Sequence, residues 1–377
     1  MRRSVLHVHW AFPPTTGGVE SHLWDLARQQ AERGWRVTVL TGEAEPVRTP
    51  GYEIVSTPLL DLETARAGAR RPGEHATAVF TLLRTLVEQD RASVIHGHNL
   101  HHFSPAPALA VERIRNEFGI PAHHTFHETW PDVLASTPVY RSWEGAYATS
   151  RFIQDQCAEL IGFRPEVLPL GVDTDLFRPQ RAVLEGGARP MLFHPARLLP
   201  WKGVHISVEA LRRLADRGID AELVLTDTQR IADWDHALPE YRRQVLDLIE
   251  KLGVADRIRF AHAAFADMPT LYNQADIVLY PTIQGEPYGL VPLEAMSCGR
   301  PVVASRCGGI VETVEHDVSG HLVCPGDAKE LADHIAMLLA DPPLARMMGK
   351  AGRRRAENEF SARNYVVELE QRYEGRL

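Results

Sequence analysis

The sequence predicts an α/β architecture of two doubly wound parallel-sheet domains. Three observations carry this. Apolar, β-branched runs alternate with amphipathic helical stretches from one end of the chain to the other, which is the pattern of parallel sheets covered on both faces. The alternation comes in two series of similar size. A polar, Pro- and Gly-bearing stretch at residues 178–189 (RPQRAVLEGGAR) separates them. A length of 377 residues agrees, being too long for one ordinary core. The expected domains are residues 1–180 and 188–360.

In the first series, strands are expected at residues 5–9, 36–41, 93–97, 121–126, 146–150 and 166–169. A helix over residues 20–33 is closed by Gly34. In the second series, strands are expected at 191–194, 222–226, 257–260, 277–280, 302–305 and 321–324. The helix after Gly203 places Val204, Val208, Leu211 and Leu214 on one face, and a later one does the same with Leu331, Ile335, Leu338 and Leu339. Residues 361–376 read as a terminal helix whose Tyr365, Val366, Leu369 and Tyr373 need a surface to cover. Two such domains would face each other across a cleft at the carboxyl ends of their strands, where open α/β sheets bind ligands.

Composition narrows the function. A net charge of -8 argues against a nucleic-acid binder, whose phosphate contacts need clustered Lys and Arg. The basic run at 66–71 (RAGARR) is short and reads as a solvated loop. The four cysteines, Cys157, Cys298, Cys307 and Cys324, form no C-x-x-C pair, so neither a zinc ribbon nor a redox motif is indicated, and a reducing cytoplasm is expected. The basic N-terminus has too short an apolar run for a signal peptide, and no segment approaches the roughly 20 apolar residues that span a bilayer. Membrane attachment is not expected. A homodimer is compatible with the sequence.

Four segments carry chemistry. The richest is 280–304, YPTIQGEPYGLVPLEAMSCGRPVVA, which leaves a strand and opens a helix near Gly289. Unpaired N–H groups at a helix start attract anions, and Gly289 lets a phosphate approach the backbone. Pro292 lacks an N–H, which is harmless in a first turn. Glu294, about one turn into the helix, can accept from both hydroxyls of a ribose. Glu286, in the loop before it, can hold sugar hydroxyls. One such Glu would be a helix-start carboxylate favoured by the dipole alone. Two of them flanking Pro-Tyr-Gly-Leu after a strand favour a ligand site.

The second segment is PARLLPWKGV, 195–204, with Arg197 after a strand end and Lys202 before a helix. Two cations there suit a diphosphate whose charge grows as it leaves. Alone they would read as solvated loop cations. The third is FPPTTGGVES, 12–21, where Gly17 and Gly18 open the next helix and could offer N–H groups to a phosphate. It is not G-x-G-x-x-G, so a dinucleotide fingerprint is absent. The fourth is the histidine-rich pair IHGHNLHHF and HHTFHETW, holding His96, His98, His101, His102, His123, His124 and His127. H-E-x-x-H does not occur, and no metal is expected. His127 is the functional candidate, while His96 and His123 read as packed within or beside the sheet.

Together these segments resemble the retaining GT-B glycosyltransferases of the glycogen-synthase-like superfamily, family four. GLVPLEAMSCGRPVVAS is the most specific match; FPPTTGGVE, the Arg-x-x-x-x-Lys-Gly of Arg197 to Gly203, and LPLGVDTDLFRP also fit. The resemblance covers nearly the whole chain. It implies a GT-B fold, with two Rossmann-like domains, and a nucleotide-diphosphate sugar as co-substrate, a UDP-sugar first. It assigns Glu286 to the donor sugar, Glu294 to the ribose, and Arg197 with Lys202 to the diphosphate. Backbone groups of Gly18, Gly289 and Leu290 would meet phosphate, with Gly17, Tyr288 and Val291 beside them. His127 falls near the donor sugar and Ala264 in the loop that meets the base. No divalent metal is implied, and the terminal helix, 361–377, would cross back to the first domain. Two departures bear on selectivity: TDTQRIADWD replaces a Gly-rich turn after strand 222–226, and Tyr288 replaces a common Phe.

The expected reaction moves a sugar to a hydroxyl of a small polar acceptor (a sugar, a cyclitol or a natural product) with retention. Segments 60–75 and 129–140, with Trp130, Asp132 and Tyr140, are expected to line the acceptor pocket. The alternatives are a sugar-nucleotide epimerase or hydrolase of the same fold, and a non-catalytic nucleotide-sugar binder.

Overall fold

The computed structural model describes residues 3–15, 17–44, 51–68, 71–89, 92–130, 138–184, 189–226, 238–262 and 265–376. Its elements run β1 (Ser4–Ala11), α1 (Gly18–Glu32), β2 (Arg36–Glu43), β3 (Tyr52–Ser56), α2 (Leu62–Gly68), α3 (Pro72–Glu88), β4 (Val94–His98), α4 (Ala106–Phe118), β5 (Ala122–Phe126), β6 (Gly145–Ala148), α5 (Arg151–Ile161) and β7 (Glu166–Val167). They continue as β8 (Met191–His194), α6 (Val204–Asp216), β9 (Glu222–Thr226), α7 (Leu238–Leu252), β10 (Ile258–Ala261), α8 (Met268–Gln274), β11 (Ile277–Tyr280) and α9 (Leu290–Ser297). The last are β12 (Val302–Ser305), α10 (Ile310–Thr313), β13 (Gly320–Val323), α11 (Ala328–Ala340), α12 (Pro342–Glu359) and α13 (Ala362–Tyr373).

The chain divides into two compact units, one of Met1–Leu170 with Arg363–Leu377, the other of Gly171–Ala362. The chain changes unit at Gly171, ahead of the polar stretch 178–189. Val172 is already bridged to Ser361, and the Phe177 carbonyl accepts from Ser297, so this segment is tied to the second unit.

The first unit holds a seven-stranded parallel sheet of order β3-β2-β1-β4-β5-β6-β7. β1 is buried along its whole length, which fits the continuous run VLHVHW in a central strand. α13 covers this unit with the expected face: Tyr365, Val366, Leu369 and Tyr373 are buried, Tyr373 packs on Trp35, and Glu370 pairs with Arg33 at 2.9 Å. The second unit holds a six-stranded parallel sheet of order β10-β9-β8-β11-β12-β13. Val204, Val208, Leu211 and Leu214 of α6 sit in its core with Leu331, Ile335 and Leu338 of α11.

Several expectations change in detail. β3 was not expected; it is an edge strand with a half-exposed pattern, so it shows no continuous apolar run. β6 ends at Ala148 rather than at 150, because the Ser150 hydroxyl accepts from Ile153 N–H at 3.1 Å and caps α5. The terminal helix starts at Ala362, since Ser361 is taken by its bridge to Val172. The expected loop around Arg66 is in part helical, lying in α2.

Candidate active site

In each unit the strand order reverses beside the first strand. In the second unit the chain leaves β8 toward β9 and β10, then returns to the other side of β8 as β11. The point between β8 and β11 is the switch point where open sheets form a crevice at the strand carboxyl ends. The loop after β8 carries Arg197 and Lys202, and the loop after β11 carries Glu286, Tyr288 and Gly289. The Lys202–Glu286 pair joins these two loops.

Two glycines allow the loops to lie this close. Gly203, at φ +74, caps α6, and a Cβ there would fall 1.9 Å from the Pro281 carbonyl oxygen. Gly308, at φ +55, would put a Cβ 2.1 Å from the Glu286 carbonyl oxygen. Both positions combine a left-handed backbone with contact against main chain, so only glycine fits. The loop is pinned by Ile283 N–H to Trp201 O at 2.8 Å and by Gly309 N–H to Glu286 O at 2.8 Å.

Lys202, Tyr280 and Glu286 form a buried triangle. Lys202 Nζ donates to Glu286 Oε2 at 2.7 Å and to Tyr280 Oη at 2.6 Å, and Tyr280 donates to the same Oε2 at 2.9 Å. Burial, then the Glu286 charge, push the Tyr280 hydroxyl well above its ordinary pKa, so it stays a donor. Both contacts to Glu286 use Oε2, which leaves Oε1 to accept from ligand hydroxyls. Arg197 is half-buried, and its side chain makes no hydrogen bond or ion pair among the described residues.

Glu294 lies in α9, the helix that Gly289 caps. Tyr272 Oη donates to its Oε2 at 2.6 Å. Burial raises the Glu294 carboxyl to about 7, against the lowering by the Tyr272 hydrogen bond. Leu290 and Val291 stand half-buried in the first turn of α9, and Tyr288 is buried beside it. Ala264 lies outside the described residues, as do Asp132 and the segment after β9.

In the first unit the switch point is between β1 and β4. Gly17 is the N-cap of α1 and Gly18 its first residue. His127 follows β5 and is buried; its backbone N–H donates to Asn99 Oδ1 at 2.8 Å, and its Nε2 meets His98 Nδ1 at 3.0 Å. His96 and His123 are buried in the sheet, bonded to Tyr373 and Tyr147 respectively. His7, His96 and His98 bring ring nitrogens close enough for a metal. All six nitrogens already have protein partners: Gln30, Tyr373, Thr125, His127 and, between His7 and His98, each other. Tyr140, expected at the acceptor pocket, has a buried side chain. It is buried among His124, Phe126 and Trp143, because its ring completes that core.

Sequence reasoning missed Tyr272, Tyr280, Gly308 and Gly309, and it named His98 without its partners. Among the missed residues only the Gly-Gly of RCGGI carried a local signal.

The fold defines the class: two parallel-sheet α/β units of GT-B glycosyltransferase type. The profile of the glycosyl transferases group 1 matches residues 179–355, and that of glycosyltransferase family 4 matches residues 16–176. A GDP-mannose-dependent alpha-(1-6)-phosphatidylinositol monomannoside mannosyltransferase of Mycobacterium tuberculosis is 30% identical, over 93% of this chain and 92% of its own length. A D-inositol 3-phosphate glycosyltransferase of Thermobispora bispora is 29% identical over 92% and 87%. Among solved structures, sucrose-phosphate synthase of Thermosynechococcus elongatus superposes with a TM-score of 0.81 at 22% identity, covering 99% of both chains. The chain belongs to the family-four glycosyltransferases of the glycogen-synthase-like superfamily, and it is a transferase by that membership. No helix among the described residues is long and apolar enough to cross a membrane.

Proposed function

We propose that this enzyme transfers a hexosyl group from a nucleoside diphosphate sugar to a hydroxyl of a small polar acceptor of the cyclitol class, with retention of anomeric configuration. The observation that carries the reading is the convergence of Arg197, Lys202, Glu286 and Glu294 at one switch point. Lys202 pairs with Glu286 there, and the helix start at Gly289 follows in the same loop.

Each group has a role its contacts leave open. Arg197 has no hydrogen bond or ion pair among the described residues, so it can take the diphosphate, and Lys202 adds a second positive charge beside Glu286. Glu286 Oε1 accepts from the sugar and Glu294 from the ribose. The bond between anomeric carbon and diphosphate oxygen breaks as the acceptor hydroxyl attacks from the same face. The acceptor proton passes to a diphosphate oxygen, and the leaving charge is held by Arg197, Lys202 and the N–H groups of Gly289 and Leu290. In the first unit, His127 is the candidate for a sugar hydroxyl and the Gly17-Gly18 turn for a phosphate.

The acceptor class follows from the relatives. Some are named for phosphatidylinositol mannoside and others for D-inositol 3-phosphate, and the inositol ring is common to both. The donor expected from the sequence is a UDP-sugar; relatives named as GDP-mannose-dependent put GDP-mannose beside it. Four free cysteines favour a reducing cytoplasm.

The test is a calorimetric screen of UDP- and GDP-sugars, then incubation of the tightest donor with myo-inositol and D-inositol 3-phosphate. The product should be a glycoside with the donor's anomeric configuration by NMR. Free sugar formed without acceptor would mark a hydrolase, an inverted product would sink retention, and unchanged donor would mark a binding protein.

A further inference from the structure

Four buried side chains of the first unit form one hydrogen-bonded line. Gln30 Oε1 of α1 meets His7 Nε2 of β1 at 2.7 Å, His7 Nδ1 meets His98 Nε2 of β4 at 3.1 Å, and His98 Nδ1 meets His127 Nε2 at 3.0 Å. Gln30, His7 and His98 are wholly buried, and His127 nearly so. Burial lowers His7 to about 4 and holds His98 and His127 well below the ordinary histidine range, so all three rings are neutral near pH 7.

A neutral imidazole has one N–H and one lone pair, so the line has a direction. The Gln30 carbonyl oxygen only accepts. His7 must then carry its proton on Nε2 and accept at Nδ1. His98 donates to it from Nε2 and accepts at Nδ1, which requires the proton of His127 to sit on Nε2. The other end of the ring, Nδ1, is left with the lone pair. The backbone of His127 is fixed independently by Asn99 Oδ1, whose residue turns through φ +50 after β4. Gln30 is a wholly buried polar side chain, a cost an apolar residue at this place in α1 would avoid.

We propose that Gln30, His7 and His98 are positioning residues that lock His127 in the Nε2–H tautomer, so that its Nδ1 is kept as an acceptor for a ligand hydroxyl. That a ligand hydroxyl uses this acceptor rests on the function proposed above; the tautomer does not. A Gln30 amide turned the other way would reverse every proton in the line and leave His127 with Nδ1–H, a donor where the proposal needs an acceptor.

The test reads the tautomer directly. Protein labelled with 15N-histidine gives long-range proton–nitrogen spectra in which the two neutral tautomers differ, and the His127 signals are identified by their loss in His127→Asn. The wild type should show the Nε2–H pattern. Gln30→Leu and His98→Phe remove the acceptor chain and should mix the tautomers, with turnover lowered about 10- to 100-fold. Gln30→Glu keeps an acceptor oxygen and should restore both, which a purely space-filling role would not require. An Nδ1–H pattern in the wild type overturns the proposal. So does a His127 pattern and turnover unchanged in both Gln30→Leu and His98→Phe; either variant suffices if the other does not fold. If the wild type forms no glycoside, the proposed function fails while the tautomer result still stands or falls by itself.

Discussion

Arg197→Ala should lower kcat/KM about 10²- to 10³-fold while thermal stability barely moves. The size of the loss is that of removing one donor aimed at developing charge in a water-poor site. The stability expectation comes from the fold. The Arg197 side chain has no hydrogen bond or ion pair among the described residues, so its removal strands no buried partner and should stay within about 0.5 kcal/mol. Arg197→Lys should recover only part of the activity, because an ammonium cannot offer the paired donors of a guanidinium. Steady-state kinetics beside thermal unfolding checks both halves. A large fall in Tm would place Arg197 in the structure rather than in the reaction.

Lys202→Met should behave in the opposite way, with the second unit losing about 3–5 kcal/mol of stability as well as its activity. Lys202 and Glu286 are both buried and 2.7 Å apart, so removing the cation leaves a carboxylate without its charge partner. Among the described residues, Tyr280 alone remains hydrogen-bonded to that side chain. The double variant Lys202→Met/Glu286→Leu should be less destabilised than Lys202→Met, since well-packed apolar groups replace a buried pair at little cost. It should also be inactive. Urea unfolding of the single and double variants gives the sign of the coupling. A double variant as unstable as the sum of the singles would mean that the two groups act independently.

How much of this was legible beforehand follows from local pattern. β8, β9, β11 and β12 begin and end where the apolar runs do, because strands covered on both faces need unbroken apolar side chains. β3 failed that test as a half-exposed edge. Arg197, Lys202, Glu286 and Glu294 were readable because each follows a strand in a motif with Gly or Pro at fixed spacing. Tyr272 and Tyr280, which orient the two carboxylates, were not. Tyr280 ends an ordinary apolar strand and Tyr272 sits in a short helix, and only the packing of α8 and β11 beside α9 gives their hydroxyls a target. The histidine line was hidden for the same reason. IHGHNLHHF names His98, but its neighbours depend on β1 lying beside β4 in the register that pairs His7 with His96.

The central claim is that the segment from Glu286 to Glu294 holds the donor, and Glu294 tests it most directly. Its carboxyl, raised to about 7, accepts two ribose hydroxyls best when ionised, so donor affinity should rise as pH passes upward through that value. Calorimetric titration of the nucleotide sugar into wild type and Glu294→Ala at pH 6 and pH 8 should show tighter wild-type binding at the higher pH. The variant should bind about 10²-fold more weakly at pH 8, the loss of two charge-assisted hydrogen bonds at the low end of their range, and without that pH dependence. A Glu294→Ala protein that binds donor as tightly as the wild type at pH 8 would contradict the account.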